Sequence, residues 1–445
     1  MKLRSAPKVY GEGIHRVIGP EETLRKVQRS LPRIGVTRLA NITGLDRVGI
    51  PTYSAVVPKS NDVLSVYNGK GVSLVDAKVG AIMEAAERHA ALELEVETTS
   101  GRFEDIRRSY EAIDPQALGL ELHASYSGET VLRWMPGHDL LVDRPVLVPV
   151  DAVGYNLLGR YGGPCCAYSS TNGLASGNSV EEAICHALCE LIERDAWTIA
   201  DILARWLPRA RREAAVGPGK RITRGSDDME RYPCLDLETL DPTARTLVDR
   251  FRQAGLAPML RDLTSDVGVA TVFASVTEEV GPEFPTAHFG LGTHPDARVA
   301  AIRALTEVAQ SRAVDIQGVR EDFSPADAVA HQFMGHTKRV SRINKECWYQ
   351  GESTTRRPFR HIPSYVHSDV LEDITFMLGR IREVAPGPVV AVVITHRDVG
   401  IPVVRVLAPG LESWTADKGK LGARALRHWR ENAAASTTPT LPELA

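Results

Sequence analysis

Residues 169–196 have the sequence SSTNGLASGNSVEEAICHALCELIERDA, and the rest of the chain is organised around them. The first part is small, polar and glycine-containing, which predicts a loop. Asn178 or Ser179 can then cap a helix, because a side-chain oxygen at that position satisfies an unpaired N–H group of the first turn. Glu181 and Glu182 follow in that turn, where the helix dipole favours negative charge. The stretch therefore predicts a loop that leads into a capped helix.

This predicted helix has an apolar side and an acidic side. The residues of the apolar stripe are Ile184, Leu188, Leu191 and Ile192. The acidic residues on the other side are Glu182, Glu190 and Glu193. The last two are three positions apart, so their side chains are neighbours on the helix surface.

The same pattern occurs in two other segments, residues 76–90 and residues 299–313. Each segment has an acid followed three positions later by a second acid or an amide. These residues are Glu84 and Glu87 in the first segment, and Glu307 and Gln310 in the second. The segments lie about a hundred residues apart, too far for a solenoid repeat. Each segment alone is typical of an amphipathic surface helix with solvated glutamates. Their repetition, with small alanines that allow close approach, favours a common site at which the acidic faces meet.

A shared cavity would bring many carboxylates together. They are Glu84, Glu87, Glu182, Glu190, Glu193 and Glu307. Close carboxylates cannot all stay ionised without cations, and Mg²⁺ is a hard cation that proteins bind through carboxylates and substrate phosphates. The residues alone thus predict a Mg²⁺–nucleotide site built from helix faces, without a P-loop.

Several basic residues could contact triphosphate oxygens. They are Lys70, Arg88, Arg194 and Arg312, with amide contacts from Asn178 and Gln310. The alternative for two of the arginines is ion pairing within a helix, since Glu84/Arg88 and Glu190/Arg194 are four residues apart. Lys70 stands between two glycines, where a tight turn is an equal alternative to a phosphate contact.

Composition narrows the class of protein. The chain has 445 residues, 43% of them apolar, and a net charge of −3, which does not indicate a nucleic-acid-binding surface. The six cysteines lack CxxC spacing; Cys185 and Cys189 could share a metal but are more typical of packing residues. The N-terminus lacks the apolar core of a signal peptide, and no apolar run is long enough to span a membrane. We therefore expect a cytoplasmic protein, whose length allows two or three domains or one large α/β unit.

The chain order predicts three regions: an N-terminal extension with strands (1–60), a catalytic domain (61–425) and a flexible tail (426–445). Residues 208–232 are predicted to be an irregular, exposed connection. Residues 335–361 are basic and predict a mobile, solvated loop, with a peptide- or phosphate-contacting lid as the alternative. Strands are predicted at 131–135, 146–150, 259–263, 269–276, 389–395 and 401–407, and helices at 21–31, 242–254 and 369–384.

At these residues the sequence resembles the YcaO family of ATP-dependent enzymes that modify peptide backbones. The matching segments are 69–71, 84–88, 172–195, 307–312 and 409–412, within a resemblance that spans roughly residues 40–425. The resemblance implies a YcaO α/β fold, with mixed sheets and helices that carry an acidic Mg²⁺–ATP site between them. By residue match it implies metal ligands at Glu84, Glu87, Glu190 and Glu193, and nucleotide contacts at Lys70, Asn178, Glu182, Gln310 and Arg312.

The family's chemistry, as the resemblance implies it, begins when a nucleophile adds to a peptide carbonyl and ATP phosphorylates the resulting oxyanion. An internal Cys, Ser or Thr gives an azoline, sulfide gives a thioamide and an amine gives an amidine. Segments 44–51 and 401–412 look like the members that work with a TfuA partner and make thioamides. Residues 438–445 lack the Pro-x-Pro-x-Pro pattern common in azoline-forming members. We therefore expect a thioamide-forming homodimer that acts on a peptide or protein with a TfuA-like partner and a sulfide source.

Two departures from the family pattern concern the phosphate contacts of the first acidic motif. Val57 stands where the family often has arginine, and Gly80 stands where it usually has serine.

The alternatives to thioamide formation are azoline or amidine formation on the same fold, or, in another class, a nucleotide-binding scaffold without turnover. A Mg²⁺-dependent kinase is a weaker alternative, because no kinase loop is present.

Overall fold

The computed structural model describes residues 1–434 except 12, 59, 61, 63–64, 96, 119–125, 156–169, 217–226, 281–283, 319–346 and 414–420. Several features of the sequence analysis lie outside the described residues. They are two of the six cysteines (Cys165 and Cys166), Ser169, residues 217–226 of the predicted connection, the segment 335–346 of the basic stretch and the tail from residue 435. Within the described ranges, no helix combines the length and apolar character that a membrane span requires.

The fold is α/β, as predicted. The helices are α1 (Pro20–Val27), α2 (Leu31–Ile34), α3 (Leu74–Leu92), α4 (Phe103–Ile106), α5 (Val150–Val153), α6 (Val180–Asp201), α7 (Leu207–Val216), α8 (Pro242–Gln253), α9 (Ala297–Gly318), α10 (Val370–Val384) and α11 (Ala423–Ala434). The strands are β1 (Arg38–Asn41), β2 (Thr52–Val56), β3 (Val66–Lys70), β4 (Thr99–Arg102), β5 (Val131–Asp139), β6 (Arg144–Pro149), β7 (Leu174–Ser176), β8 (Cys234–Asp236), β9 (Met259–Asp262), β10 (Thr271–Val280), β11 (Phe284–Thr293), β12 (Arg356–Pro358), β13 (Val390–Val393) and β14 (Val403–Leu407). A π-helical turn (Ile202–Trp206) joins α6 to α7.

The described strands form three sheets. The first is antiparallel, in the order β1-β2-β3, and the second has the order β11-β10-β9-β8-β12, in which only β8 and β12 pair in parallel. The third has the order β4-β5-β13-β14-β7, with β6 paired to β5. The predicted hairpin of β13 and β14 is confirmed, since Val390 pairs with Leu407 in antiparallel register.

Each of the three acidic helices packs on a sheet through small or apolar residues. On α3 the buried face is largely alanine, including Ala81 and Ala85, and it covers the first sheet. On α6 the whole predicted apolar stripe is buried, together with Cys185 and Cys189, against α10 and β14. The N-cap of α6 is Ser179, whose side chain accepts a hydrogen bond from the backbone of Glu182. The helix α9 lies on β10 and β11.

Close backbone approach fixes α3 against β3. A Cβ atom added at Gly69 would lie 2.1 Å from the carbonyl oxygen of Ala77 and from the nitrogen of Ala81. Gly80 lies on the helix side of this contact. A Cβ atom added at Gly80 would lie 3.2 Å from the Cα atom of Gly69. Strand and helix therefore meet without side chains between them, which holds Lys70 next to the first acidic helix.

We expect Gly69→Ala to destabilise the fold by about 1–3 kcal/mol, because the new methyl group overlaps backbone that cannot move aside cheaply. The measurement is the urea midpoint of the full chain. Gly44→Ala is the matched control, since nothing lies within 4 Å of a Cβ at Gly44. Equal midpoints for the two variants would show that β3 and α3 separate without cost.

The sequence analysis did not predict the strands β3, β4, β7, β8, β11 and β12, of which β3 and β7 lie in segments predicted to be turns or loops, and it misassigned three other segments. Residues 207–216 form α7, not an irregular connection, because Leu207 is buried beside Ala425. In the basic stretch, the described part is not a solvated loop: Trp348 is fully buried against Phe273 and Tyr232. The chain predicted to be a flexible tail from residue 426 is helical up to residue 434.

A buried ion pair joins α11 to α6. The Nε atom of Arg424 donates to Oδ1 of Asp195 at 2.8 Å, and the two side chains are 1% and 0% exposed. The same oxygen accepts from the backbone nitrogen of Glu412 at 3.0 Å. The Glu412 carboxylate accepts in turn from the backbone nitrogens of Gly422 and Ala425, both at 2.8 Å, and so caps α11. The segment 409–412 therefore anchors the C-terminal helix beside the central acidic helix.

Candidate active site

A cavity of about 1130 Å³ lies where the three acidic helices meet. Its walls come from α3, α6 and α9 and from the strands β3 and β7, with a further contribution from the N-terminal segment at Gly13, Ile14 and Arg16. Small-molecule sites in proteins usually measure roughly 300–1,000 Å³, so the cavity can hold a nucleotide together with part of a second substrate.

The predicted convergence of the acidic faces is confirmed. The predicted residues that line the cavity are Lys70, Glu84, Glu87, Asn178, Glu182, Glu190, Glu193, Glu307 and Gln310, with Arg88 and Arg194. The described lining includes eight carboxylates against five basic side chains. Because like charges repel at this density, the cavity favours added cations.

Arg312 is the predicted site residue that does not line the cavity. Its Nε atom donates to Asp46 at 2.9 Å, its Nη2 atom lies 2.9 Å from Glu278, and the residue is 2% exposed. Asp46 lies before the first acidic helix and Glu278 lies on β10, between α6 and α9, so Arg312 ties α9 to two other parts of the chain. The helical periodicity of α9 explains why Arg312 does not face the cavity, since it lies five residues after Glu307 and therefore on another face of the helix.

The two glutamates of α3 are held by backbone donors from neighbouring strands. Glu84 accepts from the backbone nitrogen of Asn68 at 2.8 Å. Glu87 accepts from the backbone nitrogen of Ser176 at 2.8 Å and from its hydroxyl at 2.7 Å. Burial raises the pKa of both carboxyls, that of Glu87 to about 8, and the negative charge of the neighbouring Glu190 adds to each shift.

The two glutamates in the middle of α6 share one arginine. Arg194 lies 3.6 Å from Glu190 and 3.8 Å from Glu193. Burial raises the pKa of Glu190, and it raises that of Glu193 to about 7 against the opposing charge of Arg194. The intrahelical ion pair that the sequence left open is therefore present, but it does not neutralise both carboxylates.

The first turn of α6 is tied to the N-terminal segment. Glu182 accepts from the backbone nitrogen of Val17 at 3.0 Å and from the side-chain nitrogen of Asn178 at 3.1 Å. Arg16 lies 3.4 Å from the same carboxylate, and Thr23 of α1 donates to Asn178 at 3.0 Å. This end of the cavity is thus a network of polar groups that requires residues 16–17 in place.

The opposite wall is closed by contacts between β3 and α9. The ammonium group of Lys70 is hydrogen-bonded to Glu307. Burial opposes ionisation of Glu307, but the charge of Lys70 outweighs it and lowers the pKa of that carboxyl. The side-chain nitrogen of Gln310 donates to the backbone oxygen of Asn68 at 2.9 Å. Lys70 therefore lies in the cavity, so it is not a turn residue that points to solvent.

The cavity residues that were not identified from the sequence include Arg16, His186 and Arg303. The last two could have been identified from helical spacing. His186 lies one turn after Glu182 and one turn before Glu190, and Arg303 lies one turn before Glu307. Arg16 had no such signal, since it belongs to an extended segment without periodicity.

A second polar cluster lies behind the cavity. Ligand-type atoms of His15, His294 and Asp373 lie within 4.8 Å of one another. The ammonium group of Lys8 is 2.6 Å from Asp373 and already supplies a cation. The Nδ1 atom of His294 accepts from the backbone nitrogen of Asp296 at 2.9 Å, which leaves the ring proton on Nε2. These contacts favour an anchor for the N-terminal segment over a metal centre.

The geometry defines a cavity that is assembled from helix faces and is rich in carboxylates. A sequence model of YcaO cyclodehydratases, which bind ATP and Mg²⁺, matches residues 68–412. The chain therefore belongs to the YcaO family, and ATP and Mg²⁺ are its cofactors.

Two relatives cover nearly the whole chain. An uncharacterized protein of Methanothermobacter thermautotrophicus is 37% identical over 413 residues, which is 92% of this chain and 98% of the relative. A Rhizobium leguminosarum bv. trifolii protein, described as lying in the tfuA 3′ region, is 30% identical over 402 residues, 89% of this chain and 88% of the relative.

Two solved structures share the fold. The YcaO protein of Methanopyrus kandleri, bound with AMPPCP and Mg²⁺, superposes with a TM-score of 0.67 at 26% identity and covers 94% of this chain and 99% of its own. A heterocyclase in complex with substrate and cofactor has a TM-score of 0.73 at 21% identity over 93% of this chain. This chain spans about half of that heterocyclase, 54% of its length.

Proposed function

We propose that the chain uses ATP to activate a peptide amide and replaces the amide oxygen with sulfur, which gives a thioamide in a peptide or protein substrate. The observation that carries the ATP-dependent step is the convergence of four glutamates and Lys70 in one cavity. The choice of sulfur is supported by the relative described as lying in the tfuA 3′ region. We accordingly propose a TfuA-like protein as the partner that brings the sulfide.

The donor set fits Mg²⁺, because carboxylate oxygens are the ligands this cation prefers and the unneutralised carboxyls have raised pKa values. The proposed metal ligands are Glu84, Glu87, Glu190 and Glu193. The proposed nucleotide contacts are Lys70, Asn178, Glu182 and Gln310. Arg312 is left out of this set, because its guanidinium group is bound to Asp46 and Glu278. Bound Mg²⁺ would supply neutralisation of the triphosphate charge.

The chemistry of the proposed reaction balances with hydrosulfide as the co-substrate. Hydrosulfide adds to the peptide carbonyl carbon, and the oxygen of the adduct takes the terminal phosphoryl group of ATP, which releases ADP. The C–O bond then breaks, phosphate leaves with the proton that hydrosulfide brought, and a C=S bond remains. The residues of the cavity orient the nucleotide and exclude water, since positioning carries most of phosphoryl transfer.

Azoline formation is the second candidate, and the family's description as cyclodehydratases favours it. It would use the same nucleotide site with a Cys, Ser or Thr side chain of the peptide as the nucleophile. The two reactions differ in their need for sulfide and in the mass of the product.

The deciding experiment measures phosphate release and product mass with a candidate peptide, ATP, Mg²⁺ and a TfuA-like protein, with and without sulfide. If the product is a thioamide, phosphate release through this phosphoryl transfer depends on sulfide. The peptide then gains about 16 Da, which is the mass difference between sulfur and oxygen. Cyclodehydration uses the same phosphoryl transfer but removes water, so the peptide loses about 18 Da and needs no sulfide. That result would overturn the thioamide proposal in favour of azoline formation.

The pH dependence of Mg²⁺ binding follows from the carboxyl pKa values. Burial raises the pKa of Glu87 to about 8 and that of Glu193 to about 7, so both groups hold protons below those values. A cation must displace these protons, so we expect the affinity for Mg²⁺–AMPPCP to rise from about pH 6 to about pH 8.5 and then level off. Calorimetry in two buffers of different ionisation enthalpy should detect proton release at pH 7. A flat profile would contradict the metal assignment.

A further inference from the structure

Of the described basic residues that line the cavity, four lie within ion-pair distance of a carboxylate. Lys70 is bonded to Glu307, and the arginines Arg16, Arg88 and Arg194 lie within 4 Å of Glu182, Glu84 and Glu190, respectively. Arg303 is different, because its described partner is an imidazole. Its Nη2 atom lies 2.9 Å from Nε2 of His186.

The chemistry of this pair fixes the protonation of the histidine. A guanidinium group has only donors, so Nε2 of His186 must accept and the ring must carry its single proton on Nδ1. The ring also hydrogen-bonds the backbone of Ser176, which raises its basicity. Burial, together with the charge of Arg303, nevertheless lowers the pKa of His186 well below its usual range. His186 is therefore neutral and leaves the positive charge of Arg303 intact.

The pair also connects three walls of the cavity. Ser176 of β7 holds Glu87 of α3 through its nitrogen and hydroxyl, and its backbone holds His186 of α6. His186 in turn holds Arg303 of α9. Arg303 thus has a fixed position relative to the carboxylates. Within the described residues it forms no ion pair with any of them, and its charge acts on Glu193 and Glu307 at longer range.

We propose that His186 is a positioning residue that holds Arg303 toward the triphosphate of the nucleotide as a cation without a directly bonded carboxylate among the described residues. A carboxylate in place of the imidazole would hold the guanidinium group equally well but would cancel the charge that phosphate oxygens need. The inference rests on ATP binding, and AMPPCP binding to the unaltered chain tests that basis separately.

The test is the affinity of the full-length chain for AMPPCP with Mg²⁺, measured by calorimetry at pH 7.5. His186→Leu removes the acceptor and should weaken binding about tenfold, or about 1.4 kcal/mol. His186→Gln restores an acceptor of similar reach and should stay within about threefold of the unaltered chain. In an Arg303→Gln background, His186→Leu should have no further effect, because the two residues act as one unit.

Three results would overturn the proposal: unchanged affinity in His186→Leu, no recovery in His186→Gln, or an additive loss in the double variant. The urea midpoint without nucleotide separates a folding defect from a binding defect. If the leucine variant does not fold, His186→Ala makes the same comparison in a helix already rich in alanine. His361→Gln, an exposed histidine outside the cavity, is the control and should bind as the unaltered chain does.

Discussion

Replacing Glu193 with glutamine is expected to reduce ATP turnover on the order of 10³-fold while the fold stays intact. The side chain of Glu193 is 7% exposed, lines the cavity and shares Arg194 with Glu190. Glutamine keeps the shape and one oxygen of the side chain but removes the charge that a hard cation requires. Because burial already raises the pKa of Glu193 to about 7, the neutral amide should fit the pocket without strain.

The matched control is Glu181→Gln on the same helix. The Glu181 carboxylate does not line the cavity; it accepts from the backbone nitrogen of Arg4 at 3.0 Å. Steady-state phosphate release and the urea midpoint of both variants give activity and folding separately. Full turnover in Glu193→Gln would remove this residue from the metal site, whereas equal losses in both variants would indicate a general effect on α6.

Replacing Arg424 with leucine is expected to destabilise the protein by about 3–5 kcal/mol, because it leaves Asp195 as an uncompensated charge in the interior. Arg424 also donates to Asp266 at 3.0 Å, so the variant loses contacts to two carboxylates. Asp195 belongs to the helix that carries Glu190 and Glu193, and the loss should therefore lower nucleotide affinity as well. Urea denaturation, followed by fluorescence, measures the free energy of unfolding.

Arg430→Leu is the control for this prediction, since Arg430 lies on the same helix but is exposed. It should change the stability by less than about 0.5 kcal/mol. Adding Asp195→Asn to Arg424→Leu should recover part of the lost stability, because the buried charge is then removed with its partner. A stable Arg424→Leu variant would mean that Asp195 finds water or another cation.

The convergence of the acidic helices was predictable because both of its causes are visible in the sequence. A repeated pattern of acids at helical spacing marks the site face, and alanines such as Ala81 on the opposite face mark close packing. The N-cap at Ser179 and the buried stripe on α6 follow from local chemistry in the same way.

Other features depend on contacts that no local pattern encodes. The strand β11 contains Gly290 and Gly292, which have low strand propensity. They are needed there because a Cβ at either position would lie 2.5 Å or less from a carbonyl oxygen of α9. Arg312 matches the family motif by position, yet its partners Asp46 and Glu278 are distant in sequence. Arg16 reaches the cavity only because residues 16 and 17 are held by Glu182 of α6.

The contacts that close the cavity join parts of the chain far apart in sequence: Lys70 meets Glu307 across 237 residues, and Asn68 meets Gln310 across 242. Loop closure of this length comes late when a chain folds, so an incompletely folded chain cannot offer the site. Ligand that binds only the native state adds about 2.7 kcal/mol of apparent stability at a hundredfold excess over Kd. Mg²⁺–ATP should therefore protect the folded protein from aggregation on heating, to an extent set by the nucleotide concentration.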